Sequence, residues 1–375
     1  MQQSIWEQQS FYSRKHVIIV GAGLAGLWTA LELYNNDKNL NILLLDRGII
    51  PTGASTRNAG FACFGSPTEL LHDAATLGED KMWEIVEMRF RGIEKIRRHF
   101  ADNVIDYDQC GGYELLSGDY NVDNLDDQLN ALNRGLQSIT NDKVTFERVK
   151  NKLNSFKFNG FCNLIENKYE GGLHSGKLVQ VLMKKVLSLG VELITSIEVT
   201  NWQNTQNGIE IYTNRGIKFK CDKLLICNNG LASTLTKNVA VKPGRGQIIV
   251  TSPIDNLPFR GTFHFDGGFY YFRNIGNRVL LGGARNKAFD EETTNNLETT
   301  RVIQNELERF LRENILPGVN FTIEYRWSGI MGFTETGLPL TQEIEPDVFA
   351  MITCNGMGVA LSPIIAEKMA KIMTM

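Results

Sequence analysis

Residues 17–33 read VIIVGAGLAGLWTALEL: a β-branched run, then Gly21-x-Gly23-x-x-Gly26, then apolar residues at helical spacing. Few stretches this short restrict a fold so tightly, because each glycine has its own task. Gly21 permits the tight turn out of a strand, Gly23 lets backbone approach a pyrophosphate, and Gly26 lets the helix lie close on the strand. The pyrophosphate then rests on the positive end of the helix. A second apolar run, Asn41-Ile42-Leu43-Leu44-Leu45, ends at Asp46, 20 residues past Gly26. A carboxylate there accepts hydrogen bonds from a ribose diol and repels a 2′-phosphate. Strand, turn, helix, second strand and acid together specify a βαβ unit for an ADP-containing dinucleotide. Gly21, Gly23, Leu24, Ala25, Gly26, Asp46 and Arg47 are its expected contacts.

At 375 residues the chain exceeds the roughly 250–300 at which one core stops growing, so two domains are expected, interleaved in sequence. A net charge of −3, with no long run of one sign, offers nothing to attract nucleic acid or an anionic membrane. Arg14 and Lys15 before the apolar run mimic a signal peptide or anchor, but three close glycines and then Trp28, Thr29 and Glu32 interrupt it. No membrane segment is expected. Six cysteines without a CxxC favour reduced thiols in a cytoplasm over disulfides or zinc. His16, His72, His99, His174 and His264 show no metal-ligand spacing, so no metal is expected. Each is read as a surface or packing residue, with a place against the cofactor ring as the second reading for His264.

Residues 47–66, RGIIPTGASTRNAGFACFGS, separate FAD from NAD. After the second strand a nicotinamide-binding fold continues into another helix. Here Gly53 to Gly60 is small, polar and without helical periodicity, suited to laying amides and hydroxyls along an extended cofactor. The chain resembles the D-amino-acid oxidase and glycine/sarcosine oxidase family of FAD-dependent amine oxidoreductases. Thr56-Arg57-Asn58-Ala59-Gly60 and Ser4-x-Trp6-Glu7 most resemble its γ-glutamylputrescine oxidase branch. Further matches follow in order: residues 190–199 ending at Val199, Lys223 to Gly230, and Pro243-x-Arg245-Gly246-Gln247. After these come the hairpin from Tyr270 to Gly283, Trp327-x-Gly329 through Gly337-x-Pro339, and Asn355-Gly356-Met357-Gly358-Val359 before an apolar-periodic helix.

The resemblance implies an α/β fold: a Rossmann-like FAD-binding domain of the glutathione-reductase type with an interleaved α+β substrate domain built on an antiparallel sheet. The first is expected over 1–78, 164–242 and 327–375, the second over 79–163 and 243–326. The pattern Met82, Val86, Phe90, Ile93, Ile96, Phe100 predicts a helix over 79–100, and residues 244–283 alternate as in an antiparallel sheet. Implied FAD contacts beyond the glycine turn are Ala54, Ser55, Thr56, Arg57, Asn58, Ala59, Gly60, Phe61, Val199, Asn229, Gly230, Gly329, Asn355, Gly356, Met357, Gly358 and Val359. Phe61, Cys63, Tyr270 and Met331 are expected to line the substrate pocket. Sheet packing is the other reading of Tyr270, and a small buried hydrophobe that of Cys63. An ion pair is the other reading of Arg57 and Arg273.

The implied chemistry is hydride transfer from the carbon beside nitrogen to flavin N5, giving an imine that hydrolyses. Two departures shape the substrate and the acceptor. Amino-acid-oxidising members clamp the carboxylate with an arginine two residues after the Trp-x-Gly glycine; here that residue is Met331. A small amine without an adjacent carboxylate, such as an N-substituted amine or diamine, is therefore expected. Sarcosine-oxidase relatives carry an oxygen-activating lysine where this chain has Leu280, which leaves O2 or another acceptor. No cysteine lies in Ile330-Met331-Gly332-Phe333-Thr334, so noncovalent FAD is expected. The alternatives are an FAD-dependent 2-hydroxy acid dehydrogenase, which needs Arg245, Arg273 or Arg285 as carboxylate clamp, and the oxidative module of a tRNA-modifying enzyme. Oligomeric state is not legible.

Overall fold

The computed structural model describes residues 2–118, 120–352 and 356–374. Two compact units are present. The first comprises Met1–Arg57, Gly176–Gly244 and Ile330–Met375, and the second Asn58–Ser175 and Arg245–Gly329. Residues 58–78, 164–175 and 327–329, expected with the cofactor domain, fall in the second unit, and 243–244, expected with the substrate domain, in the first. Pairing explains the first two segments: Phe61–Ala62 is antiparallel to Gly171–Gly172, and Phe161–Asn167 pairs with Gly112–Ser117. Among the described residues, no helix is long and apolar enough to cross a membrane.

In the first unit five strands run parallel in the order Val348–Ile352, Lys218–Ile226, Lys15–Val20, Ile42–Leu45, Glu192–Ile194. Ile18, Ile19, Leu43, Leu44, Leu224 and Leu225 are all fully buried, as strands covered on both faces must be. From the central strand Lys15–Val20 the chain builds outward on one side through residues 42–45 and 192–194. The other side is built later, through 218–226 and 348–352. The direction of building therefore reverses between Lys15–Val20 and Lys218–Ile226. Ligands bind at such a switch point, beyond the carboxyl ends of the strands.

The second unit is built on an eight-stranded sheet in the order Ile323–Thr334, Val241–Thr251, Arg278–Gly283, Tyr270–Ile275, Thr262–Phe265, Gly112–Ser117, Phe161–Asn167, Phe146–Arg148. The stretch 244–283 is antiparallel as expected, but Thr262–Phe265 lies parallel to Gly112–Ser117. These two strands are far apart in sequence, so no hairpin constrains their relative direction. One face is a dry aromatic core: Phe263 stacks on Phe272 at 4.6 Å, and Tyr270 on Phe310 at 4.5 Å. The helix Arg301–Phe310 closes this face with Ile303 and Leu307. Alternation along each strand sends His264, Tyr271 and Arg273 to the opposite face.

The predicted helix forms over Glu79–His99 and buries Met82, Val86, Ile93 and Ile96, together with Arg89. Arg89 donates to Glu69 at 2.8 Å and to the Phe64 carbonyl at 3.4 Å. Two further buried acids hold the same segment. Glu170 accepts the amides of Phe64 and Gly65 at 2.8 and 3.2 Å. Glu114 accepts the Ser66 hydroxyl at 3.0 Å, the Thr68 amide at 3.1 Å and the Thr68 hydroxyl. Residues 64–68 are thus pinned by side chains from a distant strand, loop and helix.

Burial pushes Glu170 up to about 8 and Glu114 up to about 7, the hydrogen bonds opposing it in each case. Glu69 is also raised by burial, but Arg89 outweighs this and leaves it below its ordinary value. A carboxyl raised in the folded state stabilises most below its unfolded value, and that stability is lost as pH rises through the folded one. Unfolding free energy should therefore fall between about pH 4.5 and 8, by up to about 1.4 kcal/mol per pH unit for each carboxyl titrating. Denaturant titrations at several pH values should show a shallower slope for E170Q than for wild type. An identical slope would contradict the assignment.

Candidate active site

The glycine turn closes as its spacing predicts. Gly21 sits at φ +107°, and a Cβ on it would lie 2.9 Å from the Cys227 carbonyl oxygen; one on Gly26 would lie 2.0 Å from that of Gly21. No side chain fits at either. The helix Leu24–Asn36 begins with Gly23 as N-cap, which has nothing to cap with. Ser55 supplies the cap from another segment, its Oγ accepting the Leu24 amide at 2.9 Å. The first bond inside the helix runs from Leu27 to Gly23, so helix geometry leaves the Ala25 and Gly26 amides facing outward for an anion.

Asp46 ties this turn to the next loop, accepting the Ala22 amide on one oxygen and the Gly48 amide on the other, both at 2.9 Å. Burial raises it above its ordinary value, with both hydrogen bonds and Arg47 opposing. A carboxylate has about four acceptor sites, so two remain for a ribose diol. Arg47 is exposed. Across the switch point, Asn229 takes a left-handed conformation at φ +51°. The Oδ1 atoms of Asn228 and Asn229 are buried without a partner among the described residues. Buried unpaired acceptors of this kind, beside a turn that excludes side chains, fit hydroxyl donors of a nucleotide cofactor.

The C-terminal helix Gly358–Thr374 packs on Leu24–Asn36. Asn36 donates to Thr374 at 3.4 Å, which joins the two carboxyl ends. With 17 residues against 13, the C-terminal helix overshoots the other by about 6 Å at its amino end. Both positive ends therefore point to the same edge of the sheet. Met357 accepts the first helical bond, from Leu361 at 3.1 Å, and Val359 is buried. Met331 lies beside Gly356, its Sδ 3.4 Å from where a Cβ would stand. Gly230 packs on the same strand, its would-be Cβ 2.6 Å from the Met331 carbonyl oxygen. Asn355 lies outside the described residues.

The remaining expected cofactor residues divide between the units. Ala54–Arg57 forms one helical turn where no helix was expected, because Thr56 donates back to the Pro51 carbonyl and Arg57 to that of Thr52. Val199 is buried at the start of its strand; it is Ile197 that donates to the Asp46 carbonyl, at 3.0 Å. Asn58 accepts from Gly60 and Ser175 at 2.8 and 2.6 Å. Arg273 donates to the carbonyls of Gly60 and Leu173 at 2.6 and 3.0 Å, which replaces the expected ion pair with a backbone clamp on this segment. Ala59 packs against the cluster of Ile248, Val250 and Leu280, and Gly329 is buried in its strand.

Of its two readings, Tyr270 takes sheet packing. It lies on the helix-covered face, its hydroxyl donating to Glu306 at 2.6 Å. Its neighbour Tyr271 holds the opposite face, in one cross-strand row with Glu114, His264, Gly282 and Ile248. Phe61 stands edge-on to His264 at 5.1 Å and to Tyr271 at 6.1 Å. The alternation Phe263, Phe265, Tyr270, Phe272 carries this assignment in the sequence itself. Burial pushes Tyr271 up to about 12, with Arg285 opposing. Burial lowers His264 below its ordinary value, Glu69 opposing. Cys63 is held as a neutral thiol by burial, with Glu170 and Glu69 adding to the effect. No metal-holding group of His, Cys, Asp and Glu occurs among the described residues.

Comparison with known proteins agrees with this geometry. The family model described as FAD dependent oxidoreductase matches residues 16–372. A probable oxidoreductase, OrdL, of Haemophilus influenzae is 24% identical over 378 residues, 95% of this chain and 82% of that protein. Among solved structures, L-proline dehydrogenase from P. horikoshii superposes with a TM-score of 0.75 at 17% identity, over 96% of this chain and 94% of the other. Glycine oxidase from Geobacillus kaustophilus superposes at 0.72 and 18%, over 96% and 95%. The chain belongs to the DAO family of FAD-dependent oxidoreductases.

Proposed function

We propose that this enzyme oxidises a C–N bond of a small amine lacking an adjacent carboxylate, an N-substituted amine or diamine, to an imine that water then hydrolyses. FAD, when bound noncovalently, supplies the hydride acceptor. The first unit would hold it through Gly21 to Gly26, Asp46, Asn229, Gly230 and the amino end of the C-terminal helix. That helix end favours negative charge, so it also suits the reduced cofactor.

The observation that carries the substrate reading is the thioether of Met331 beside Gly356, where amino-acid-oxidising relatives place an arginine. A thioether cannot pair with a carboxylate. Other cations do not replace it readily. Arg245 is locked to Glu292 by two bonds of 2.9 and 2.7 Å, and Arg273 clamps backbone. Arg285 stacks on Phe289 at 4.4 Å and opposes the upward shift of Tyr271. Leu280, buried among apolar neighbours, provides no charge for oxygen activation, which supports an acceptor other than O2.

Two experiments follow. Anaerobic addition of N-acetylputrescine should bleach the flavin, whereas sarcosine and glycine should do so at least about tenfold more slowly. Equal bleaching by sarcosine would refute the reading. G26A puts a Cβ into the Gly21 carbonyl, so it should purify with little flavin and a lowered melting temperature, its FAD affinity weaker by about tenfold or more. Full flavin content in G26A would contradict the cradle.

A further inference from the structure

His264 stands on the sheet face opposite the aromatic core, between Glu114 and Tyr271 in the cross-strand row. It is 8% exposed, and its Nε2 is buried with no hydrogen-bond partner among the described residues. A buried donor or acceptor without a partner is rare in a folded protein and calls for a reason. Packing alone does not provide one, since a phenyl ring would fill the same space without an unpaired nitrogen. The surroundings point to a ligand. Phe61 makes T-shaped contacts with the imidazole and with Tyr271, and the faces of phenylalanine and tyrosine rings attract cations. Phe61 itself is only half-buried and belongs to a two-residue strand. Glu69 lies close enough to His264 for each to influence the other's charge.

We infer that His264 is a specificity-determining residue whose Nε2 accepts a hydrogen bond from the N–H of an alkylammonium substrate, Phe61 turning aside as the substrate enters. This rests on the amine reading above. A carboxylate offers Nε2 no N–H and would meet the negative side of the rings, so the same subsite discriminates against acids.

The test uses flavin-loaded wild type, H264F and H264Q, with N-acetylputrescine and sarcosine as probes. Without substrate, H264F should be at least as stable as wild type, its melting temperature unchanged or raised by about 1–3 °C, because the unpaired nitrogen is gone. With N-acetylputrescine its KM should rise about tenfold or more while kcat changes less than about threefold, and H264Q, whose carboxamide returns an acceptor, should recover part of the loss. An unchanged KM in H264F, or a fall in its melting temperature that H264Q avoids, would overturn the inference. If sarcosine reduces wild type and N-acetylputrescine does not, the amine reading fails. A raised KM for sarcosine in H264F would then preserve the contact to His264, and an unchanged one would remove it. If neither probe reduces the flavin, the melting temperatures decide by the same criterion.

Discussion

The close approach of Gly26 to the carbonyl of Gly21, with no room for a side chain between them, is the constraint on which the first unit depends. It seats the helix Leu24–Asn36 directly on the central strand and aims its positive end over the carboxyl edge of the sheet. The strand is fixed by its neighbours, Ile18 lying opposite Leu43 on one side and Leu224 on the other. With the turn closed, Asp46 and Ser55 can both reach it, and each holds one of its amides. The C-terminal helix joins the same edge by packing alongside. Two helix dipoles and a reversal of strand order thus converge where an anionic cofactor needs them.

In the second unit the organising feature is the division of one sheet into two chemically different faces. Aromatic residues fill the helix-covered side, where Phe263 stacks on Phe272 and Phe265 on Phe310. The other side carries polar and titratable groups under a thin cover of residues 58–68. Burying Glu114, Glu170 and Arg89 beneath that cover is costly unless each finds partners, and each does. The two acids bond the backbone and hydroxyls of the cover itself, and Arg89 bonds the Phe64 carbonyl and, more closely, the Glu69 carboxylate. The two acids are thus spent on holding the cover.

Much of this was legible in the sequence, for local reasons. A glycine turn, the acid that follows it, and a 21-residue amphipathic helix are each written in a short window, and the ordered family motifs extend the reading across the chain. What escaped depended on contacts distant in sequence. Ser55 caps a helix 31 residues away, and Glu170 reaches back 106 residues to Phe64; neither leaves a local pattern. Tyr270 takes the sheet-packing alternative, and period-two alternation carries it: a shift of one residue reverses the face, so Tyr270 and Tyr271 lie on opposite sides. The parallel pairing within the second sheet was equally hidden, since no hairpin joins its partners.

The central claim is that the first unit grips the adenylate half of FAD at the glycine turn. Titrating deflavinated protein with FAD and with FMN, with and without ADP, addresses it most directly. FAD should bind at one equivalent per chain, FMN should bind at least about tenfold more weakly, and ADP should compete with FAD. Equal affinity for FMN, together with indifference to ADP, would contradict it.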